Sequence, residues 1–285
     1  MKKRFKVSSQ EKGQRLLAFL RTHLAGGALS VKALKRCVEQ KRCTINGRVE
    51  TFSTHILAAG DTIEIDVGGD QLKQFEPLLL WEDEALAAYD KPAGVVSEKG
   101  NFPGELVHRL DKETSGVILV AKSSLVLEKM IELFRKKQVH KEYLAIVDGL
   151  VHEKKKTITS KLAPRHRYQG QVIYASAPQG QEAITSWELL GSGDKASLLL
   201  CLPVTGRTHQ LRVHLKEAGH PILGDYQYAK RFYCPVEVRR HMLHAYRIAF
   251  PHPLGTGDVD ITAPVPPDFI AVLESVGISN EILNR

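Results

Sequence analysis

The stretch HRLDKETSGVILVAK, residues 108–122, decides how the chain is read. Its second half, 117–121, is an unbroken run of β-branched and aliphatic residues between Gly116 and Lys122, which predicts a buried strand. Asp111 then sits in a polar turn leading into that strand, with His108 and Arg109 before it and Thr114, Ser115 and Gly116 after it. Loops carried by rigid strands are where catalytic groups concentrate, while an Asp in a turn also serves as an ordinary turn former. Working outward, residues 143–147, 184–189 and 198–202 predict further strands, interleaved with helical patterns. Ser123 or Ser124 can cap a helix that carries Leu127, Met130, Ile131 and Phe134 on one face and Arg135, Lys136 and Lys137 at its negative end. A later helix over 208–218 buries Leu211, Leu215 and Ala218 and leaves Arg207 at a loop mouth just before it. The pattern predicts an α+β domain.

The N-terminal quarter reads differently. Leu16, Leu17, Leu20 and Leu24 follow helical spacing, and Ser30 can cap a second helix with Val31, Leu34 and Val38 inside. Lys32, Lys35 and Arg36 fall on its outer face, with Lys41 and Arg42 close behind. Asn46-Gly47 between Ile45 and Val49 signals a tight hairpin that carries Arg48, and Ile63, Ile65 and Val67 alternate as another strand. GGDQLKQFEP, residues 68–77, has no periodicity, so we expect a module over 1–70, a linker over 71–78 and a larger domain over 79–285. Charge follows this division. Residues 1–75 hold 14 Lys/Arg against 7 Asp/Glu, and the remainder holds 26 against 25, so nearly all of the net +8 lies in the first quarter. Such asymmetry points to an anionic partner such as nucleic acid for the basic module.

Other classes are excluded. The longest apolar run, 198–204, falls far short of the roughly 18 to 20 residues of a membrane span, and no apolar run follows the basic N-terminus as a secretory signal requires. A cytoplasmic location is expected. Cys37, Cys43, Cys201 and Cys234 have neither CxxC spacing nor the density of a disulfide scaffold, and the histidines include no HExxH, so no metal site is expected.

Residues 108–122 resemble the signature of the RluA-type pseudouridine synthases, which isomerise uridine in ribosomal or transfer RNA. Further segments match in order: DKPAGVV (90–96), KEYLAIVDG (141–149), LPVTGRTHQLRVHL (202–215) and GHPILGDYQY (219–228). The order helix, basic helix, strand, NG turn and strand ending in GDTIEI resembles the S4 RNA-binding domain, with Leu17 departing from an Asp that many members carry.

These resemblances imply an α+β chain, a small S4-like α/β RNA-binding domain followed by a pseudouridine synthase catalytic domain with a mixed, mainly antiparallel sheet flanked by helices. They imply an RNA partner, no organic or metal cofactor, and no membrane, and we expect a monomer. The reaction breaks the C1′–N1 bond of uridine, turns the uracil, joins C1′ to C5 and releases the C5 proton. Asp111 would act as a nucleophile at C1′ or as a base at C2′, two routes the sequence does not separate. By resemblance Arg207 would pair with Asp111 and favour its charged form. Tyr143 would lie against the uracil and accept the C5 proton, directly or through water, with Leu211 as an apolar wall. Arg109 would fill the space vacated by the extruded base, while Lys91 and His108 support the active-site loops. In the basic module, Lys32, Lys35, Arg36, Lys41, Arg42 and Arg48 would meet RNA phosphates. Two other classes fit less well. A pure RNA-binding protein would not require Asp111, Tyr143 and Arg207 together, and a carboxylate-dependent hydrolase would need a second acid that no motif supplies.

Overall fold

The computed structural model describes residues 2–24, 31–39, 42–67, 77–168 and 171–283, and the chain divides into two compact units, Met1–Glu76 and Pro77–Arg285. The first contains β1 (Lys2–Lys6), α1 (Leu16–His23), α2 (Val31–Glu39), β2 (Cys43–Ile45), β3 (Arg48–Glu50) and β4 (Thr62–Asp66). Its four strands are antiparallel in the order β1-β4-β2-β3. Asn46 and Gly47 turn the hairpin with φ of 52° and 78°, the two positive values that match the twist of the paired strands. Leu16, Phe19 and Leu20 of α1 and Leu34, Cys37 and Val38 of α2 pack on Ile63 and Ile65 of β4. Val31 does not join them. It is 43% exposed, because the inward stripe is Ala33, Leu34, Cys37 and Val38, and at about 100° per residue Val31 falls roughly 90° from its centre. The Ser30 cap, Lys41 and residues 71–76 of the expected linker lie outside the described residues.

The second unit runs β5 (Leu78–Glu82), β6 (Leu86–Lys91), β7 (Glu105–Leu106), β8 (Ser115–Ala121), α3 (Ser124–Arg135), β9 (His140–Asp148), β10 (Lys155–Tyr168) and β11 (Gln171–Ser176). It continues with β12 (Gln181–Ser192), β13 (Ala196–Pro203), α4 (Gln210–Glu217), β14 (Leu243–Pro251), β15 (Asp258–Thr262), α5 (Pro267–Ser275) and a final 3-10 turn. The strands form one 11-stranded sheet, ordered β11-β10-β12-β13-β9-β14-β8-β6-β5, with β15 on β14 and β7 on β8. Only the β14–β8 pairing is parallel among the described strands, so the α+β architecture with a mixed, mainly antiparallel sheet is as expected.

Every residue of β8 is buried, in keeping with its apolar run and its central place in the sheet. Gly116 makes the parallel contact possible. Its φ is 112°, and a Cβ there would fall 2.1 Å from the Ala245 carbonyl oxygen. Ser123 caps α3 by accepting the Val126 N–H at 3.4 Å. On this helix Val126 and Met130 are buried, with Leu127 and Phe134 partly so. Ile131 is 52% exposed rather than inward-facing, since Val126 and Met130 already occupy the i, i+4 line toward the sheet.

Candidate active site

The loop 107–114 between β7 and β8 carries Asp111, and the segment 91–97 holds it from beneath. Lys91 is fully buried, and its Nζ donates to the carbonyls of Pro92, Val95 and Lys112 at 3.0, 2.8 and 3.0 Å. Burial pushes its pKa down to about 8, and three carbonyls around one ammonium clasp the two loops together. Ser97 adds a reciprocal pair with Leu110, donating to its carbonyl at 2.9 Å and accepting its N–H at 3.0 Å. His108 accepts the Leu119 N–H on Nε2 at 3.1 Å, and burial lowers its pKa to about 3, so the ring is neutral. Lys91 and His108 thus bond the backbone at Lys112, next to Asp111, and at Leu119 of β8. Thr114 closes it against His241 at 2.8 Å.

The partner of Asp111 is Arg212, not Arg207. Arg212 Nη1 donates to Asp111 Oδ2 at 3.0 Å, while Nε and Nη2 form a bidentate pair with Asp225 at 2.7 Å each. Nη2 also reaches Gln227 at 2.5 Å, and the guanidinium lies 5.0 Å from the Tyr228 ring centre. Burial acts against the charged form of Arg212, but the bond to Asp225 and the charges of Asp225 and Asp111 outweigh it, so its pKa is raised. Arg207 points elsewhere. It is exposed, and its Nε and Nη1 donate to the Glu182 carbonyl and to Gln181 Oε1 at 2.9 and 3.0 Å. The cause is local: α4 starts at Gln210, leaving Arg207 on the approach loop beside β12, whereas Arg212 lies in the first turn of a helix whose residues 210–215 are all buried.

That approach loop is fixed by Gln210, which uses all its bonding capacity. Its Nε2 donates to Ile184 O and Thr185 Oγ1, and its Oε1 accepts from Arg207 N and Thr205 Oγ1. His209 is consequently held with a left-handed φ of 57°. Burial lowers the His209 pKa against the opposing charge of Asp111, so the ring is neutral. Tyr228 takes the Tyr174 N–H on its oxygen at 3.1 Å, and its hydroxyl is hydrogen-bonded to His209 Nδ1 at 2.7 Å. The other ring nitrogen, Nε2, lies 3.8 Å from Asp111 Oδ1.

These groups open on a cavity of about 110 Å³, lined among others by Asp111, Tyr143, Lys141, Leu211 and Arg212, which widens into an outer space of about 430 Å³. Among the described lining residues Asp111 is the single carboxylate. Tyr143 projects from β9, between Cys201 of β13 and Ala245 of β14 in register. Burial, and then the charge of Asp111, raises the Tyr143 pKa, so its phenol is protonated at neutral pH. That state suits a ring presented to a ligand better than a proton acceptor. Arg109 is exposed at the mouth of both spaces with no hydrogen-bond or ion-pair partner among the described residues. Among the described residues no three His, Cys, Asp or Glu side chains are grouped as a metal would require.

In the first unit, Lys35 is exposed and pairs with Glu39 at 3.6 Å, Arg48 is exposed on β3, and Arg36 and Arg42 are half-buried. Lys32 lies on α2, its side chain outside what is described, as is Lys41 altogether.

The residue missed by sequence reasoning is Arg212, although it stands inside the 202–215 motif. Five of the eight residues of that helix are polar, so no apolar pattern marked Arg212 as buried; only its place in the folded helix, where residues 210–215 are all buried, requires the arginine to be paired.

Comparison with known proteins bears on this geometry. The sequence model of the RNA pseudouridylate synthase family matches residues 83–217. The ribosomal large subunit pseudouridine synthase C of Pasteurella multocida is 31% identical, over 94% of this chain and 91% of the relative. That of Escherichia coli K12 is 32% identical over 89% of each. Among solved structures, human RNA pseudouridylate synthase domain containing 1 aligns at a TM-score of 0.57 and 28% identity, over 67% of this chain and 84% of that one.

Proposed function

Because this chain belongs to the RNA pseudouridylate synthase family, and is therefore an isomerase, we propose that it converts uridine to pseudouridine in large-subunit ribosomal RNA with Asp111 as the catalytic group. The observation that carries this reading is a single carboxylate anchored by a guanidinium. Arg212 holds Oδ2 at 3.0 Å, and Oδ1 faces the neutral His209 in a cavity whose described lining offers no second acid. One oriented carboxylate suits attack at C1′ or proton removal at C2′, and it does not suit the paired acid and base of glycoside hydrolysis.

The atoms balance without a co-reactant: the C1′–N1 bond breaks, C1′–C5 forms, C5 loses a proton and N1 gains one. Tyr143 supplies a ring face for the uracil and Leu211 an apolar wall, which together retain the detached base. Leu211 is 6% exposed, so it is a fixed surface. Arg109, unpartnered beside Asp111, takes the stack position that the extruded uridine leaves. The first unit resembles an S4 module in its helix, basic helix and hairpin order, and we assign Lys35, Arg36, Arg42 and Arg48, with Lys32 and Lys41, to RNA phosphates. Ribosomal RNA is favoured because the curated relatives carry that substrate in their names.

Mapping pseudouridines in ribosomal and transfer RNA from cells with and without the gene tests this reading. We expect the loss of one or a few sites in large-subunit ribosomal RNA. Sites lost only from transfer RNA would overturn the substrate assignment, and an unchanged map would overturn the activity.

A further inference from the structure

One lysine at the site takes no part in the chemistry proposed above. Lys141 is half-buried at the start of β9, two residues before Tyr143 and on the same side of the strand. It lines both the inner cavity and the outer space. Its Nζ donates to the Thr205 carbonyl at 3.2 Å and lies 5.8 Å from the Phe134 ring centre. No carboxylate stands within ion-pair distance of it among the described residues; the adjacent Glu142 is bound to Arg247 at 2.6 Å, and Asp111, which lines the same cavity, is bound to Arg212 at 3.0 Å. An ammonium has three hydrogens to place, and here one carbonyl and one aromatic face receive two of them.

A cation partly withdrawn from water without a counter-ion costs stability, and a ligand that supplies the missing charge offsets that cost. Burial pushes the Lys141 pKa down to about 8, which expresses the same cost. The ligand of this cavity, on the function proposed above, is a nucleotide of an RNA chain. Its uracil belongs beside Asp111 and Tyr143, and its anionic part must stay where the inner cavity meets the outer space, because the chain continues outward. We propose that Lys141 is the counter-ion of the phosphodiester flanking the target uridine, and that it seats this phosphate only when the nucleotide is flipped fully into the site. Lys141 would then be a binding residue that measures the distance from base to backbone. It differs from an exposed surface lysine in that its fixed seat between Thr205 and Phe134 allows one phosphate position.

The inference rests on the pseudouridine synthase reading, and the experiment separates the two. Binding of short target RNAs is measured for the wild type and for Lys141→Met, with native RNA and with RNA carrying a neutral methylphosphonate at the phosphate 5′ or 3′ to the target uridine. We expect Lys141→Met to weaken native RNA about tenfold and one of the two methylphosphonates to weaken the wild type about tenfold, the scale of one charge-assisted hydrogen bond. Combining the two should cause no further loss, and Lys141→Arg should restore most of the affinity. The Lys141→Met protein should unfold at no lower temperature than the wild type, since no ion pair is removed. Losses that multiply to about a hundredfold with both methylphosphonates would overturn the proposal, as would full affinity in Lys141→Met. Release of label from RNA tritiated at uridine C5 by the wild type, measured alongside, reports on the activity. Release with multiplying losses sinks only the role of Lys141, whereas no release sinks the reading beneath it.

Discussion

Arg207 and Arg212 stand in one motif, yet the fold gives them opposite environments. Arg207 is exposed and bonded to Gln181 and the Glu182 carbonyl, and Arg212 is buried between Asp111 and Asp225. Removing one member of a buried ion pair leaves the others uncompensated, at a cost of about 3–5 kcal/mol, whereas an exposed arginine bonded only to neutral acceptors, as Arg207 is, falls among surface substitutions that usually stay within about 0.5 kcal/mol. We therefore expect Arg212→Met to lose about 3–5 kcal/mol in urea unfolding, and Arg207→Met to stay within about 0.5 kcal/mol of the wild type. Equal losses would contradict the assignment. Asp111, Tyr143, His108, Lys91 and Leu211 were legible because each stands in a motif whose order along the chain is distinctive. The choice between two arginines was not, since it depends on where α4 begins, and Gln210 sets that through bonds to residues some 25 positions earlier.

At the scale of elements, Asp111 is positioned by the strand that follows its loop. β8 lies between β6 and β14, and its parallel pairing with β14 joins residues more than a hundred positions apart. Local patterning predicted β8, β9, β12 and β13 but carried no information on this neighbour, because apolar runs mark burial and not partners. β1 was invisible for a different reason. KKRFK has charged residues on both faces, as befits an edge strand, and only its pairing with β4 defines it. Gly116 is the place where the β8–β14 pairing can be tested. A methyl group there must displace the Ala245 backbone, so Gly116→Ala should cost more than about 2 kcal/mol in thermal or urea unfolding and lower activity along with stability. A neutral result would mean the strands do not approach as described.

For the whole molecule, the charge division between its two units was legible from composition, and on the function proposed above the basic unit would supply affinity and the other the chemistry. Deleting residues 1–76 should leave an active catalytic unit on short RNAs while weakening RNA binding. The slope of log affinity against log salt should fall by about 0.7 for each phosphate that the first unit would otherwise neutralise, and an unchanged slope would remove the RNA role of that unit. Stability should depend on acid through buried neutral histidines. Burial lowers the pKa of His108 to about 3 and that of His244 to about 4, and it also lowers those of His214 and His241. The unfolded chain takes up protons at these sites near pH 6.5 and the folded chain does not, so their contribution is full above about pH 6.5 and is lost as pH falls toward 3. Each site removes up to about 1.4 kcal/mol per pH unit in that window, which a fall in the urea midpoint between pH 7.5 and pH 5 would register and a constant midpoint would refute. On the function proposed above, Asp111 performs the isomerisation. The most direct test supplies RNA tritiated at uridine C5 to the wild type and to Asp111→Asn. Label release to water is expected from the wild type and none from Asp111→Asn with RNA binding retained, and release by Asp111→Asn at a rate near that of the wild type would contradict the claim.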